Sequence, residues 1–365
     1  MGVMKQITRY IGFTITRSTL LCMALLLGVE SIFILVNEIR YVGTGDYTIG
    51  RAFLFYLCSV PQNIYLMFPM SALVGTLMGL GVLASRSELI VLQAAGLSLA
   101  NITKIVMKTA LILAGFTWVM GEGFAPFAEN VGQNIKTDSL SGGQALRTQS
   151  GTWLRDGDDF VHIRAMDLTG HLEGLTRYRF QNQELMTASY AQYGDYQGDH
   201  WVLYNIQETH FSPENVTSQN IAAARWDSVI DPNIVRVVGQ KYLEKLSLVG
   251  LWQTISYRQK NSLHAGPYQL AFWQKCVQPF ATLVMMFLAI PFVFGPLRSS
   301  TMGLRLMVGI LIGFLFHTLN DLFGPLTLVY QVPPILGALL PTLLFFAVGV
   351  VLMRKEFISR VKKVA

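Results

Sequence analysis

Apolar residues gather into windows too long for a soluble core. Ala52 to Ser85 carries no charge over 34 residues, Cys276 to Leu297 none over 22, and Leu322 to Met353 none over 32. A bilayer span takes about 20 apolar residues, so these windows predict three transmembrane helices. The first of them is longer than one span; Pro61 and Pro69 let it bend, with its first third at the interface. Three further spans carry a few charges. Thr14 to Val36 holds Arg17 and Glu30, Asn101 to Phe124 holds Lys104 and Lys108 near its start and Glu122 at its end, and Thr301 to Leu322 runs from Arg305 to Asn320-Asp321. The lysines are placed to snorkel. The first apolar stretch is too long for a cleaved signal peptide and lacks a small-x-small site before the next flank. The pattern divides the chain into residues 1–128 with three spans, 129–266 without one, and 267–365 with three more spans and a basic tail.

Between Arg147 and Gly239 the apolar period switches to two. The segments 152–154, 160–164, 175–180, 201–206 and 234–238 are short and rich in β-branched and aromatic residues. Turn formers separate them: Asp156-Gly157-Asp158, Thr169-Gly170, Gln181-Asn182, Gly194-Asp195 and Gln197-Gly198. A spacing of roughly 8–12 residues predicts a β-sandwich or jelly roll. From Leu246 to Tyr257 the pattern is helical again. The fold class is therefore a six-span α-helical membrane protein, three plus three, with an inserted β domain.

Composition agrees. Of 365 residues, 52% are hydrophobic and only 14% charged, and mean hydropathy is +0.42. The net charge of +6 is uneven. Glu129 to Gly266 holds 12 basic and 15 acidic residues, the remainder 16 basic and 7 acidic. This is a membrane-flank signal; a nucleic-acid reader would carry a basic stripe within a folded domain. Counting Lys and Arg in short loops places Lys5, Arg9, Arg17, Arg86, Lys104, Lys108, Arg298, Arg305 and the tail from Arg354 to Lys363 on one side. Only Arg40 and Arg51 lie in short loops on the other. The positive-inside rule then makes both termini cytoplasmic and the β domain external.

Little in the chain speaks for catalysis. Cys22, Cys58 and Cys276 all lie in apolar runs and read as small core residues, with no metal-ligand spacing. No histidine pair has H-E-x-x-H spacing and no G-x-S-x-G elbow occurs. His317 and Asp321, four apart on one helix face, read as a structural or cavity-lining pair. Leu140-Ser141-Gly142-Gly143-Gln144 spells the signature loop of ABC-transporter ATPases, but no G-x-x-x-x-G-K-[ST] accompanies it and charge puts it away from the cytosol. It reads as a Gly-rich linker. Glu30 and Asp321, ionisable at membrane depth, leave open a scaffold or proton-coupled carrier.

Residues 84–98 are too polar to span. Leu83, Leu89 and Leu92 fall on one side of a helical period, with Arg86 and Gln93 toward the other. Ser85 and Glu88 have capping-box spacing, and Gly96 stands where a helix would stop. Such a helix either lies in the headgroups or docks into a cytosolic partner, offering Glu88.

Arg86-Ser87-Glu88-Leu89, Gln93-Ala94-Ala95-Gly96, Phe294 to Ser299, Phe323-Gly324-Pro325-Leu326 and Pro333 to Gly337 together resemble the permease family of the lipopolysaccharide export system, LptF/LptG, and within it the LptG branch. The resemblance covers the whole chain. It implies a permease subunit of an ABC-type exporter that extracts lipopolysaccharide from the outer leaflet of the inner membrane and passes it to a periplasmic bridge. Implied partners are a paralogous permease of the LptF type, a cytosolic ATPase dimer of the LptB type and a single-span bridge subunit of the LptC type. ATP would be bound by the ATPase and no cofactor by this chain. The family's jelly roll would be the β domain, and the first and fifth spans its lateral gates. Glu88, with Arg86, Leu89 and Leu92, is implied as the ATPase-coupling contact. Arg40 and Lys136 match positions that offer cations to lipid phosphates, and Phe68, Phe316 and His317 match the cavity lining. Ile34 and Gln133 depart from the pattern, standing where relatives carry basic residues.

Overall fold

The computed structural model describes residues 2–141, 147–166, 170–181, 184–212, 214–232, 234–235, 243–296 and 300–364. The six expected spans are present among them. They are α1 (Gly2–Ile39), α2 (Ile49–Ser85), a rod of α4 (Leu99–Val119) and α5 (Ala125–Ser141) joined by a π turn at Met120–Phe124, then α7 (Gly266–Phe294), α8 (Met302–Val329) and α9 (Pro334–Val364). A short α3 (Glu88–Ala94) separates the second span from the third, and α6 (Leu248–Lys260) precedes the fourth. α2 stays one helix through Pro61 and Pro69, since neighbouring helices can satisfy the backbone groups that proline frees.

Chain contacts divide the molecule into two compact units: Met1–Asn37, Tyr56–Asn130 and Gln269–Ala365 form a helical unit, and Glu38–Phe55 with Val131–Tyr268 form a β unit. In the helical unit Ile11, Ile15, Leu73, Leu77, Leu80, Ile102, Val106, Met285 and Ile290 belong to one core. Lipid is as apolar as leucine, so close packing, not water exclusion, must hold such helices together. Gly75 and Gly79 supply it on α2. A Cβ at Gly75 would lie 2.3 Å from the Thr19 Cα, and one at Gly79 would lie 3.0 Å from the Ile15 Cα.

Two buried cations contribute as well. Lys275, 4% exposed, places Nζ 2.8 Å from Glu122 Oε1. The Tyr65 ring lies beneath the ammonium, with its centroid at 5.3 Å. Glu122 stands in the π turn, where Gly121 admits that ring: a Cβ there would meet Tyr65 Cδ2 at 2.2 Å. Arg305 is the second. Counted in sequence among the basic residues that set the orientation, it is 2% exposed, and its Nη1 donates to the Gly81 carbonyl at 2.7 Å. Gly81 is near the end of α2, where the helix dipole favours a cation.

The β unit carries β1 (Arg147–Asp156), β2 (Asp159–Met166), β3 (Leu172–Gln181), β4 (Glu184–Tyr196), β5 (Trp201–Phe211) and β6 (Val216–Trp226). The inserted β domain is therefore present. Its described strands form one antiparallel sheet in sequence order, without the crossovers a jelly roll would show. Tight hairpins account for this order by pairing sequence neighbours. Asp156 pairs with Asp159 across Gly157 at φ +60°, as the turn formers predict. Gly194-Asp195 is not a turn: both lie inside β4, paired with Leu203 and Val202, and the chain reverses after Tyr196 with Gly198 at φ +97°. Ile234 and Val235 are helical, not extended; the rest of that expected strand, 236–238, and Gly142 to Gln144 of the glycine-rich string lie outside the described residues. Leu154, Val161, Ile163, Leu175, Ala191 and Trp201 fill the core, and the Trp201 indole donates to the Ile230 carbonyl at 2.7 Å. α6 docks on β1 through the Tyr257 hydroxyl, which donates to the Arg155 carbonyl at 2.7 Å. Burial pushes that phenol up from its ordinary value.

Candidate functional site

The polar segment between α2 and α4 folds as the helix its period predicts. Its start differs from expectation. The residue before the helix is Ser87, left-handed at φ 58° and making no side-chain cap, while Ser85 donates back to the Val82 carbonyl. A reversal this sharp leaves Ser85 in the preceding helix, so it cannot cap the next one. The end is as expected. Gly96 takes φ +94°, its amide donates to the Gln93 carbonyl and the Leu97 amide to the Leu92 carbonyl, which is a Schellman stop.

Burial sorts the α3 side chains. Leu89 is 3% exposed and Leu92 packs against the same helical core. Ile90 and Val91, with Ala94, face outward; the first two are 54% and 64% exposed. Thus Leu89 and Leu92 seat the helix, and a second apolar face, missed in the sequence, is left to meet something else. Glu88 stands at its first turn. The Tyr10 hydroxyl donates to Glu88 Oε2 at 2.8 Å, and Arg86 Nη1 lies 4.0 Å from Oε1.

The expected phosphate-binding cations lie in the β unit. Arg40 is exposed in the turn after α1. Lys136 is engaged: Nζ lies 2.7 Å from Glu38 Oε1 and 4.4 Å and 4.8 Å from the ring centroids of Tyr41 and Phe55. Glu38 is buried and also accepts from the Tyr47 hydroxyl at 2.8 Å. Burial, then that bond, pushes the Tyr47 phenol up from its ordinary value. The loop between α1 and α2 is fixed on the end of α5, where the Ser139 carbonyl accepts the Asp46 amide at 2.8 Å and Arg51 Nη1 donates to Ser139 Oγ at 3.0 Å. A carbonyl in the last turn has no helical partner of its own.

The remaining candidates belong to the helical unit. Phe68 and Phe316 are buried in the helical core, Phe316 edge-on to Phe345 with centroids 5.3 Å apart. His317 and Asp321 pair at 3.0 Å on an exposed side of α8. On the β unit, Trp153, Arg155, Phe160, Tyr178, Phe180 and Leu185 line a half-open cleft of about 1040 Å³ that contains none of the expected site residues. Among the described residues no group of three His, Cys, Asp or Glu side chains is arranged to hold a metal ion.

Six spans and a β domain inserted after the third define a multi-pass membrane protein. Comparison with known proteins gives the family. Residues 9–355 match the family described as lipopolysaccharide export system permease LptF/LptG. The chain is similar to lipopolysaccharide export system permease protein LptG of Escherichia coli (strain K12), 38% identical over 353 residues, covering 95% of this chain and 98% of that protein. It is likewise similar to the protein of the same name from Haemophilus influenzae, 36% identical over 346 residues, covering 94% and 96%. The chain belongs to the LptF/LptG family of lipopolysaccharide export permeases.

Proposed function

We propose that this chain is the LptG-type permease subunit of an ABC-type exporter in the bacterial inner membrane. It lifts lipopolysaccharide from the outer leaflet and hands it to a periplasmic bridge, powered by a separate cytosolic ATPase of the LptB type. An LptF-type permease completes the membrane domain and an LptC-type subunit begins the bridge. Both termini are cytoplasmic, the β domain is periplasmic, and the chain itself catalyses no reaction. Family membership over nearly the whole length supports the export role. The single observation that carries the coupling role is α3, whose inner face is fixed in the helical core while Ile90 and Val91 are presented at its outer side, with the half-buried Glu88 at its first turn.

Glu88 offers a carboxylate to a cation on the ATPase, and such a charged contact is worth enough to decide association. Glu88→Ala is expected to reduce co-purified ATPase by about tenfold, the equivalent of one charge-assisted hydrogen bond. Glu88→Lys should lose more, since it places like charges together. Undiminished ATPase yield in both variants would refute the contact.

Arg40 is the exposed cation for the lipid phosphates, and Lys136 supports the same level from its pair with Glu38. A photo-crosslinking residue at position 40 should trap lipopolysaccharide in cells. A negative result there, with a lipid-facing control position succeeding, would make Arg40 a headgroup anchor only.

A further inference from the structure

α1 reaches α3 by a contact that periodicity does not reveal. Ile7, Ile11 and Ile15 recur every four residues along α1 and pack into the helical core, the last two with no exposure. Tyr10 stands beside that stripe, 47% exposed, with its hydroxyl 2.8 Å from Glu88 Oε2. The carboxylate is thus divided. One oxygen is held from α1, and the other is turned toward Arg86, which is 68% exposed.

Farther along α1 the packing thins. Thr19, Cys22 and Met23 are buried, with Thr19 against Gly75, but from Ala24 through Asn37 no side chain is buried. The helix is gripped along its first half and again in its last turn at Glu38, which the Lys136 ammonium and the Tyr47 hydroxyl hold, and it is lightly held between. At 1.5 Å per residue, Tyr10 lies about 14 Å before the Thr19–Gly75 contact and Asn37 about 27 Å beyond it. Displacement at Tyr10 is therefore taken up beyond that contact by the lightly held stretch 24–37, ahead of the fixed end at Glu38.

We propose that Tyr10 is the positioning residue of Glu88 and the tie that passes displacement of α3 to α1, bending the sparsely packed stretch of α1 between Thr19 and Glu38. This rests on the reading of α3 as the ATPase-docking helix. Binding of the ATPase to the outward side of Glu88 leaves the Tyr10 bond in place, so α3 and the base of α1 move together. Without the hydroxyl, α3 docks but α1 no longer follows.

The test uses the whole complex with its native ATPase and partner subunits in nanodiscs, with Cys22, Cys58 and Cys276 replaced. Spin labels at Val29→Cys and Leu111→Cys, both exposed on the chain's surface, report the distance from α1 to α4 with and without ATP. Tyr10→Phe is expected to keep co-purified ATPase within about twofold of the parent and to shrink the ATP-dependent distance change at least threefold. An unchanged distance response in Tyr10→Phe overturns the tie, as does a parent complex whose distance ignores ATP. Loss of the ATPase in Tyr10→Phe to the extent seen in Glu88→Ala also overturns it, making Tyr10 part of the docking contact. If Glu88→Ala keeps its ATPase, the docking reading fails separately, and the distance response alone judges the tie.

Discussion

Lys275→Met is expected to destabilise the protein by about 3–5 kcal/mol, the cost of removing one partner from a buried ion pair. The Glu122 carboxylate is 15% exposed and would lose the ammonium now 2.8 Å away. Methionine fills similar volume, so lost packing over the Tyr65 ring contributes little. For a chain of this size the loss corresponds to a fall of roughly 5–10 °C in the midpoint of thermal aggregation in detergent. Adding Glu122→Gln to Lys275→Met should recover most of it, because a neutral pair leaves no buried charge uncompensated. A double variant no better than the single would show that the pair itself is not what the structure depends on.

The second large effect lies where α1 crosses α2. A Cβ at Gly75 would sit 2.3 Å from the Thr19 Cα and 2.6 Å from its amide nitrogen, and backbone cannot swing aside as a side chain does. Gly75→Val must push the two helices apart, forfeiting the close approach that substitutes for the hydrophobic effect in lipid. We expect no monodisperse protein on gel filtration. Gly28→Ala is the control. No atom lies within 4 Å of a Cβ at Gly28, so alanine should be neutral or raise stability by up to about 1 kcal/mol. Equal behaviour of the two variants would remove the argument.

The spans were legible because charge exclusion is a property of each segment by itself. The same holds for Gly157 and Gly96, whose positive φ is a local demand. What could not be read depends on partners distant in sequence. Periodicity marks Leu89 and Leu92 as one apolar face, yet Ile90 and Val91 are apolar too, and only the core beneath decides which face is seated. Gly194-Asp195 looks like a turn, but β3 and β5 pair with it from both sides and hold it extended. Lys275 stands one residue outside an uncharged window and so passes for a flank. Lys136 reads as a cation on offer until Glu38, 98 residues away, is seen beside it. Ser87 in the left-handed region has no sequence signature, serine being an ordinary choice for a helix start.

The Glu122–Lys275 pair also sets a timetable. Its members are 153 residues apart, and the whole β domain is encoded between them. At about 5–20 residues per second, the ribosome needs roughly 8–30 s after making Glu122 before the lysine exists. For that interval the carboxylate exists without the ammonium that pairs with it in the finished protein. Slowing translation across the β domain lengthens the time for which Glu122 has no Lys275 to pair with, while the finished pair stays the same.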